Sequence, residues 1–163
     1  MPKDASPTRA TILAAAVQTL QRGGVEGFTL DAVARRAGVV KGLILYHYTS
    51  RGRLLRAAAT QIAQTRSAAL QRALASAPGA SGLDACWDEL RRQAEDGTAR
   101  AWLSLCAAGL IDRSARSATF EDAARDAILD GTAVALSTGV PFADARDAYD
   151  VLGLALLDVT AKP

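Results

Sequence analysis

Residues that could support catalysis or bind a metal are few in this chain. His47 is the only histidine among 163 residues, and no triad pattern surrounds it. Cys86 and Cys106 are twenty residues apart, without a CxxC motif or a nearby histidine, so neither a zinc site nor a disulfide framework is indicated. We interpret them as reduced, partly buried thiols. Because paired-carboxylate, nucleophile and phosphate-loop motifs are also missing, we expect no enzyme, metal or cofactor.

The segment with the most informative spacing runs from Thr29 to Tyr48. It predicts two short helices that meet at Gly38, since glycine readily adopts positive φ and allows a steep crossing. Thr29 is expected to cap the first helix. Small and branched residues would be buried between the helices. Five side chains then face outward, namely Val40, Lys41, Leu43, Tyr46 and His47. A helix with such a face fits the major groove of DNA.

The charges are unevenly distributed along the chain. Residues 1–56 hold nine basic and three acidic residues, a net charge of +6, whereas residues 57–163 hold ten basic and fourteen acidic residues, a net charge of −4. A basic head on an acidic body is typical of a protein with one phosphate-binding end. A solvated basic helix gives a similar pattern, so the charge alone leaves both readings open.

The hydrophobic pattern predicts an all-α fold. Apolar residues recur every three to four positions, and no alternating strand or repeat is present. We predict about eight helices, at about 8–22, 29–37, 40–45, 51–74, 83–95, 98–111, 117–137 and 142–159. The first three would form a DNA-binding helix-turn-helix head in residues 1–50. The remainder would form a helical bundle for dimerisation and ligand binding in residues 51–163.

The head resembles that of TetR-family bacterial transcription regulators. The resemblance is carried by TRATILAAA at residues 8–16, by the pattern from Thr29 to Gly42, and by HYTSR at residues 47–51 leading into Leu54-Leu55. It covers roughly residues 8–56, with the order and spacing intact. It implies a dimeric regulator that binds a palindromic operator in double-stranded DNA.

The resemblance also implies individual contacts to DNA. It assigns phosphate contacts to the helix-capping threonine and to basic side chains, and base contacts to the start of the second short helix. The implied DNA-binding set is Thr29, Val40, Lys41, Gly42, Leu43, Tyr46, His47 and Arg51. Leu45 replaces a common tyrosine, so Tyr46 either makes the missing hydroxyl contact or the contact is lost. Val40 replaces a small hydroxyl residue, which favours contact with thymine methyl groups.

The last predicted helix carries an apolar seam in steps of three and four. Its residues are Phe142, Ala145, Tyr149, Leu152, Leu156 and Val159. The preceding helix is rich in small residues, which permit close helix packing. In TetR-family regulators the last two helices form a four-helix dimer interface, so the resemblance implies a homodimer through this seam. The alternative is that the seam packs within one chain.

Trp87 and Trp102 mark the region where a sensing pocket is expected. Two tryptophans could shape a cavity for a small apolar or amphipathic effector, although tryptophans more often fill a core. The candidate lining residues are Trp87, Leu90, Trp102, Leu105, Cys106, Leu110 and Phe120. We expect a repressor released by such an effector, or alternatively a regulator of the same fold without a ligand.

No segment predicts export or membrane insertion. The N-terminus is polar, and the apolar stretch at residues 151–157 is far shorter than the ~20 residues that a spanning helix needs. We therefore expect a cytoplasmic protein.

Overall fold

The computed structural model describes residues 5–111 and 120–160 of the chain. These ranges contain helices and no strand, which confirms the all-α prediction. The helices are α1 (Ala5–Gly23), α2 (Leu30–Ala37), α3 (Lys41–Tyr48), α4 (Arg51–Ala75), α5 (Ala80–Glu95), α6 (Thr98–Ala107), α7 (Phe120–Ser137) and α8 (Phe142–Thr160). None of the helices in the described ranges is long and apolar enough to cross a membrane.

The chain forms two compact units, each with its own hydrophobic core. Among the described residues, the head unit comprises residues 5–64 together with Arg100–Ile111, and the body unit comprises Thr65–Ala99 together with α7 and α8. α6 belongs to the head unit because its apolar side chains pack into the core formed by α1 to α4. The domain boundary at residue 50 stays a prediction.

The head core is built on one apolar stripe of α1. Ile12, Ala16 and Leu20 are fully buried and pack in one cluster with side chains of α2, α3 and the first half of α4. The Tyr48 hydroxyl donates to the Arg9 carbonyl oxygen at 3.0 Å, which fixes the end of α3 against α1. This packing holds the two short helices in a defined orientation.

The body core combines α5, α7, α8 and the second half of α4. Cys86, Trp87 and Leu90 of α5 pack against Leu129 of α7 and Tyr149 of α8. Burial raises the pKa of both the Cys86 thiol and the Tyr149 phenol above their ordinary values. The Tyr149 hydroxyl donates to the Leu83 carbonyl oxygen at 3.0 Å. These contacts hold one face of α8 firmly within the body unit.

A buried ion pair also joins α4 to α7 within the body unit. The Arg66 Nη2 atom lies 3.1 Å from the Asp130 Oδ1 atom, and both side chains are more than nine-tenths buried. Removing charges from water is costly, so such a pair persists only where each charge compensates the other.

Several helix ends differ from the sequence-based prediction. α3 continues to Tyr48, three residues beyond the predicted end, because Ile44 and Tyr48 both face the head core. α6 ends at Ala107 rather than at residue 111. There Gly109 adopts a φ of 66°, and the Leu110 N–H bonds back to the Leu105 carbonyl oxygen at 3.0 Å, which terminates the helix. The predicted start of α7 at residue 117 lies outside the described residues.

Candidate nucleic-acid interface

The two ends of α2 are capped as the sequence predicts. The Thr29 hydroxyl oxygen accepts a hydrogen bond from the Ala32 N–H at 3.1 Å. Gly38 adopts φ 66° and ψ 32°, and its N–H donates to the Ala34 carbonyl oxygen. A residue with a Cβ atom would be strained in this left-handed conformation. The caps therefore fix both the length of α2 and the turn into α3.

The α3 helix has one buried face and one exposed face. Ile44 and Tyr48 are buried in the head core. On the other face, Val40 is 74% exposed and Tyr46 is 79% exposed. Gly42 is also exposed, and no atom outside its local backbone lies within 4 Å of the position of an added Cβ. Large apolar side chains that are exposed together on one face commonly mark an interaction site.

The remaining predicted side chains of α3 lie on or beside this face. Leu43 and His47 are partly exposed, and Lys41 is exposed at the first helical position. The ring of His47 meets that of Tyr46 edge to face, with the centroids 5.2 Å apart. Leu45 is 40% exposed, so it adds an apolar side chain to the surface of α3. We define the outward face as Val40, Lys41, Gly42, Leu43, Tyr46 and His47.

Lys41 already has an acidic partner in the head. Its Nζ atom lies 3.2 Å from the Asp31 Oδ2 atom, which belongs to the first turn of α2. Both side chains are largely exposed to solvent. The pair therefore lies at the surface, beside the outward face, and the sequence motif gave no sign of it.

Arg51 makes contacts that the sequence did not indicate. Its Nε donates to the Phe28 carbonyl oxygen at 2.8 Å, and its Nη2 donates to the Val25 carbonyl oxygen at 3.4 Å. The guanidinium carbon also lies 5.7 Å from the centroid of the buried Phe28 ring. The side chain therefore ties the start of α4 to the turn before α2, and this structural role is an alternative to the untested DNA contact predicted for Arg51.

The predicted pocket residues are distributed over both units. Trp87 and Leu90 are buried in the body core, Leu105 is buried in the head core, and Trp102, a residue of the head unit, is 1% exposed. The remaining three are Cys106 and Leu110, both partly buried, and Phe120, whose side chain is not among those described. Their role as a ligand site stays a prediction.

The predicted dimer seam does not form a single exposed face. Ala145 and Tyr149 are buried inside the body unit, where α8 packs against its own chain. Phe142 and Leu152 are about half exposed, and the side chains of Leu156 and Val159 lie outside those described. Two further apolar residues of α8, which the predicted seam did not include, are exposed to solvent. Val151 is 69% exposed and Leu154 is 52% exposed.

Comparison with known proteins agrees with this architecture. Residues 12–58 match the family described as bacterial regulatory proteins, tetR family. This range contains α2, α3 and most of α1. No curated protein matches the chain with significant sequence similarity.

Several solved structures resemble the chain over nearly its whole length. The multidrug binding protein EbrR, solved in complex with imidazole, is 26% identical with a TM-score of 0.60, and the match covers 93% of this chain and 92% of EbrR. A protein from Pseudomonas aeruginosa PAO1 described as a transcriptional regulator is 20% identical with a TM-score of 0.65, covering 98% and 92%. A TetR-family member from Streptomyces coelicolor A3 is 24% identical with a TM-score of 0.60, covering 89% and 95%.

The last two structures are too distant in sequence to show more than the fold. The family match covers residues 12–58, which include the capped helix α2 and the outward face of α3. This part of the chain, with the two short helices of the head, therefore matches the family of bacterial regulatory proteins, tetR family, and the whole chain has the fold of its solved structural relatives.

Proposed function

We propose that this protein is a dimeric transcriptional repressor that places α3 in the major groove of a palindromic operator. The observation that supports this proposal is the outward face of α3, where Val40 and Tyr46 stand in solvent while Ile44 and Tyr48 anchor the opposite side. A recognition helix needs this arrangement, because its base-reading side chains must be free while its back is fixed.

The outward face suggests how the contacts are divided. Lys41 and the capping Thr29 would bind phosphate oxygens, which gives affinity without sequence preference. Val40 and Leu43 would lie against base edges, where apolar side chains favour the methyl group of thymine. Gly42 would allow the backbone of α3 to approach the DNA closely.

The experiment is a selection of binding sites from random duplexes, followed by measurements with three variants. Lys41→Ala should weaken binding to selected and random duplexes by similar factors and lower the salt slope by about 0.9. Val40→Ala should change the base preference at one position of each half-site. Arg72→Ala removes one exposed positive charge from the body unit and serves as the matched control. Unchanged affinity and slope in Lys41→Ala would contradict the proposed face.

The proposed dimer uses the exposed side of α8. Val151, Leu152 and Leu154 lie there as large apolar residues in solvent, and Phe142 is exposed at the start of the same helix. A second copy of the chain is the partner expected, because TetR-family regulators usually act as dimers. Two half-sites one DNA turn apart then match the two heads of the dimer.

Release by a small molecule is supported by an unusual side chain of the body unit. Gln93 is only 2% exposed, and its Oε1 atom has no hydrogen-bond partner among the described residues. A buried acceptor is costly unless a water molecule or a ligand supplies a donor. EbrR, by its name, binds multiple drugs. An amphipathic effector with a hydrogen-bond donor would suit this part of the body.

A regulator without an effector is the second candidate. The packing of Trp87 favours it, because this ring lies 5.5 Å from that of Tyr149 within the body core and so fills space instead of lining it. A thermal-shift screen of small amphipathic compounds, with imidazole included, discriminates the two candidates.

Under the effector proposal, a compound that stabilises the protein should weaken operator binding about 5- to 150-fold. Gln93→Leu keeps a similar volume and removes the acceptor, so it should lose this response and retain operator affinity. If no stabilising compound releases DNA, the candidate without an effector is favoured.

A further inference from the structure

We propose that Asp31 is an internal competitor for the DNA-binding lysine, and that it sets how tightly and how salt-dependently the protein binds phosphate. This inference rests on the proposed function, because it takes Lys41 as a phosphate contact. It concerns a residue of α2 that the helix-turn-helix pattern does not assign to DNA. The carboxylate forms an ion pair with the lysine in the free protein, and this pair must break when DNA binds.

The geometry places the pair at the border of the outward face. The Lys41 Nζ and Asp31 Oδ2 atoms are 3.2 Å apart, which is a direct hydrogen-bonded ion pair. The Asp31 side chain is 70% exposed and the Lys41 side chain is 51% exposed. The lysine can therefore exchange the carboxylate for a phosphate oxygen without unfolding or moving a helix.

Asp31 is an acidic residue in a strongly basic segment of the chain. Residues 1–56 hold nine basic residues and only three acidic ones, yet one of the three is paired with the lysine at the start of α3. Asp31 also lies in the first turn of α2, where a negative charge is favourable near the helix N-terminus. This interaction with the helix N-terminus explains how Asp31 stabilises α2. It does not require a lysine partner, so the ion pair is a separate property.

The size of the effect follows from the exposure of the pair. Exposed ion pairs contribute about 0.2–1 kcal/mol, which corresponds to a change in affinity of about 1.5- to 5-fold if the pair must break. Salt screens such a pair, so the effect should be largest at low ionic strength. When Lys41 leaves Asp31 for a phosphate, the freed carboxylate takes up a cation, which offsets part of the counterion release at the phosphate. Removal of the carboxylate should therefore steepen the dependence of affinity on salt.

The test measures binding of the full chain to a random-sequence duplex of about 30 base pairs across a range of salt concentrations. Asp31→Asn keeps the size of the side chain and removes its charge. We expect about 1.5- to 5-fold tighter binding at low salt, a steeper salt slope, and a difference from wild type that shrinks as salt rises. Glu26→Gln removes the same charge from another exposed residue of the head and is the matched control. It should change affinity less.

A double-mutant cycle with Lys41→Ala separates this inference from the proposed function. If Asp31 acts through Lys41, Asp31→Asn should have no effect on affinity in the Lys41→Ala background. An equal gain in both backgrounds would show direct repulsion of phosphate by Asp31 and would overturn the inference. So would wild-type affinity in Asp31→Asn. If Lys41→Ala alone leaves binding unchanged, the proposed phosphate contact is wrong as well. Urea denaturation of each variant separates these effects from changes in folding.

Discussion

Replacing Arg51 by alanine should cost stability and leave the salt dependence of DNA binding unchanged. The guanidinium donates to the carbonyl oxygens of Phe28 and Val25, and it lies against the Phe28 ring. These contacts join the first turn of α4 to the segment that leads into Thr29. Loss of the side chain should therefore loosen the start of α2 without removing a phosphate contact.

The individual contacts of Arg51 determine the size of the expected loss in stability. Hydrogen bonds from a charged donor contribute about 1.5–3 kcal/mol when they are buried, and less here because Arg51 is exposed. A cation–π contact at an exposed site adds about 0.5–1 kcal/mol. A total loss of about 1–3 kcal/mol is expected. At about 2–4 °C per kcal/mol, this lowers Tm by roughly 2–12 °C.

Two measurements on the same variants test this reasoning. Thermal or urea denaturation should show the loss in Arg51→Ala, a smaller loss in Arg51→Lys, and almost none in Arg53→Ala, which removes an exposed charge from the same helix. Below the unfolding transition, the slope of log affinity against log salt for Arg51→Ala should equal that of wild type. A slope reduced by about 0.9 with unchanged stability would show that Arg51 binds phosphate, and the structural role would be refuted.

Three further predictions concern the turn, the dimer and the buried thiol. Gly38→Ala should lower the free energy of unfolding by about 1–2 kcal/mol, because φ is 66° there, whereas Gly42→Ala in the helical α3 should raise it by about 0.5–1 kcal/mol in urea denaturation. Leu154→Asp should give monomers in sedimentation, and a surviving dimer would contradict the proposed α8 interface. Burial raises the pKa of Cys86 above 9.0, so the stability gained from the neutral thiol should be lost as pH rises beyond 9.0. Cys86→Ala should lack this part of the pH dependence in urea denaturation.

The parts of the fold that the sequence predicted well are those determined by local chemistry. A threonine before an apolar run can cap a helix, and a glycine can take positive φ, so Thr29 and Gly38 marked the ends of α2 within a few residues. The exposed face of α3 followed from the spacing of Val40 and Tyr46 within the same short window. In each case the deciding residues lie within about two helical turns of each other along the chain.

Contacts between distant parts of the chain could not be predicted in this way. Arg51 reaches carbonyl oxygens 23 and 26 residues earlier in the sequence. An arginine that binds a carbonyl oxygen and one that binds a phosphate look alike in a sequence, since both are single positive charges near a helix start. The pairing of Asp31 with Lys41 over ten residues was missed for the same reason. Only the fold shows which acceptor lies within reach.

The apolar seam of α8 shows how one periodicity can include residues that have different partners. Ala145 and Tyr149 are one turn apart and both are buried within the body unit. Gly153 continues this inner side, where an added Cβ would lie 3.0 Å from the Leu83 side chain. Val151 and Leu154 lie outside it in solvent. A helix that is apolar on both sides needs two partners, because a surface helix normally keeps its second side polar. α5 and α7 cover the inner side, and a second copy of the chain is the partner that we propose for the outer side.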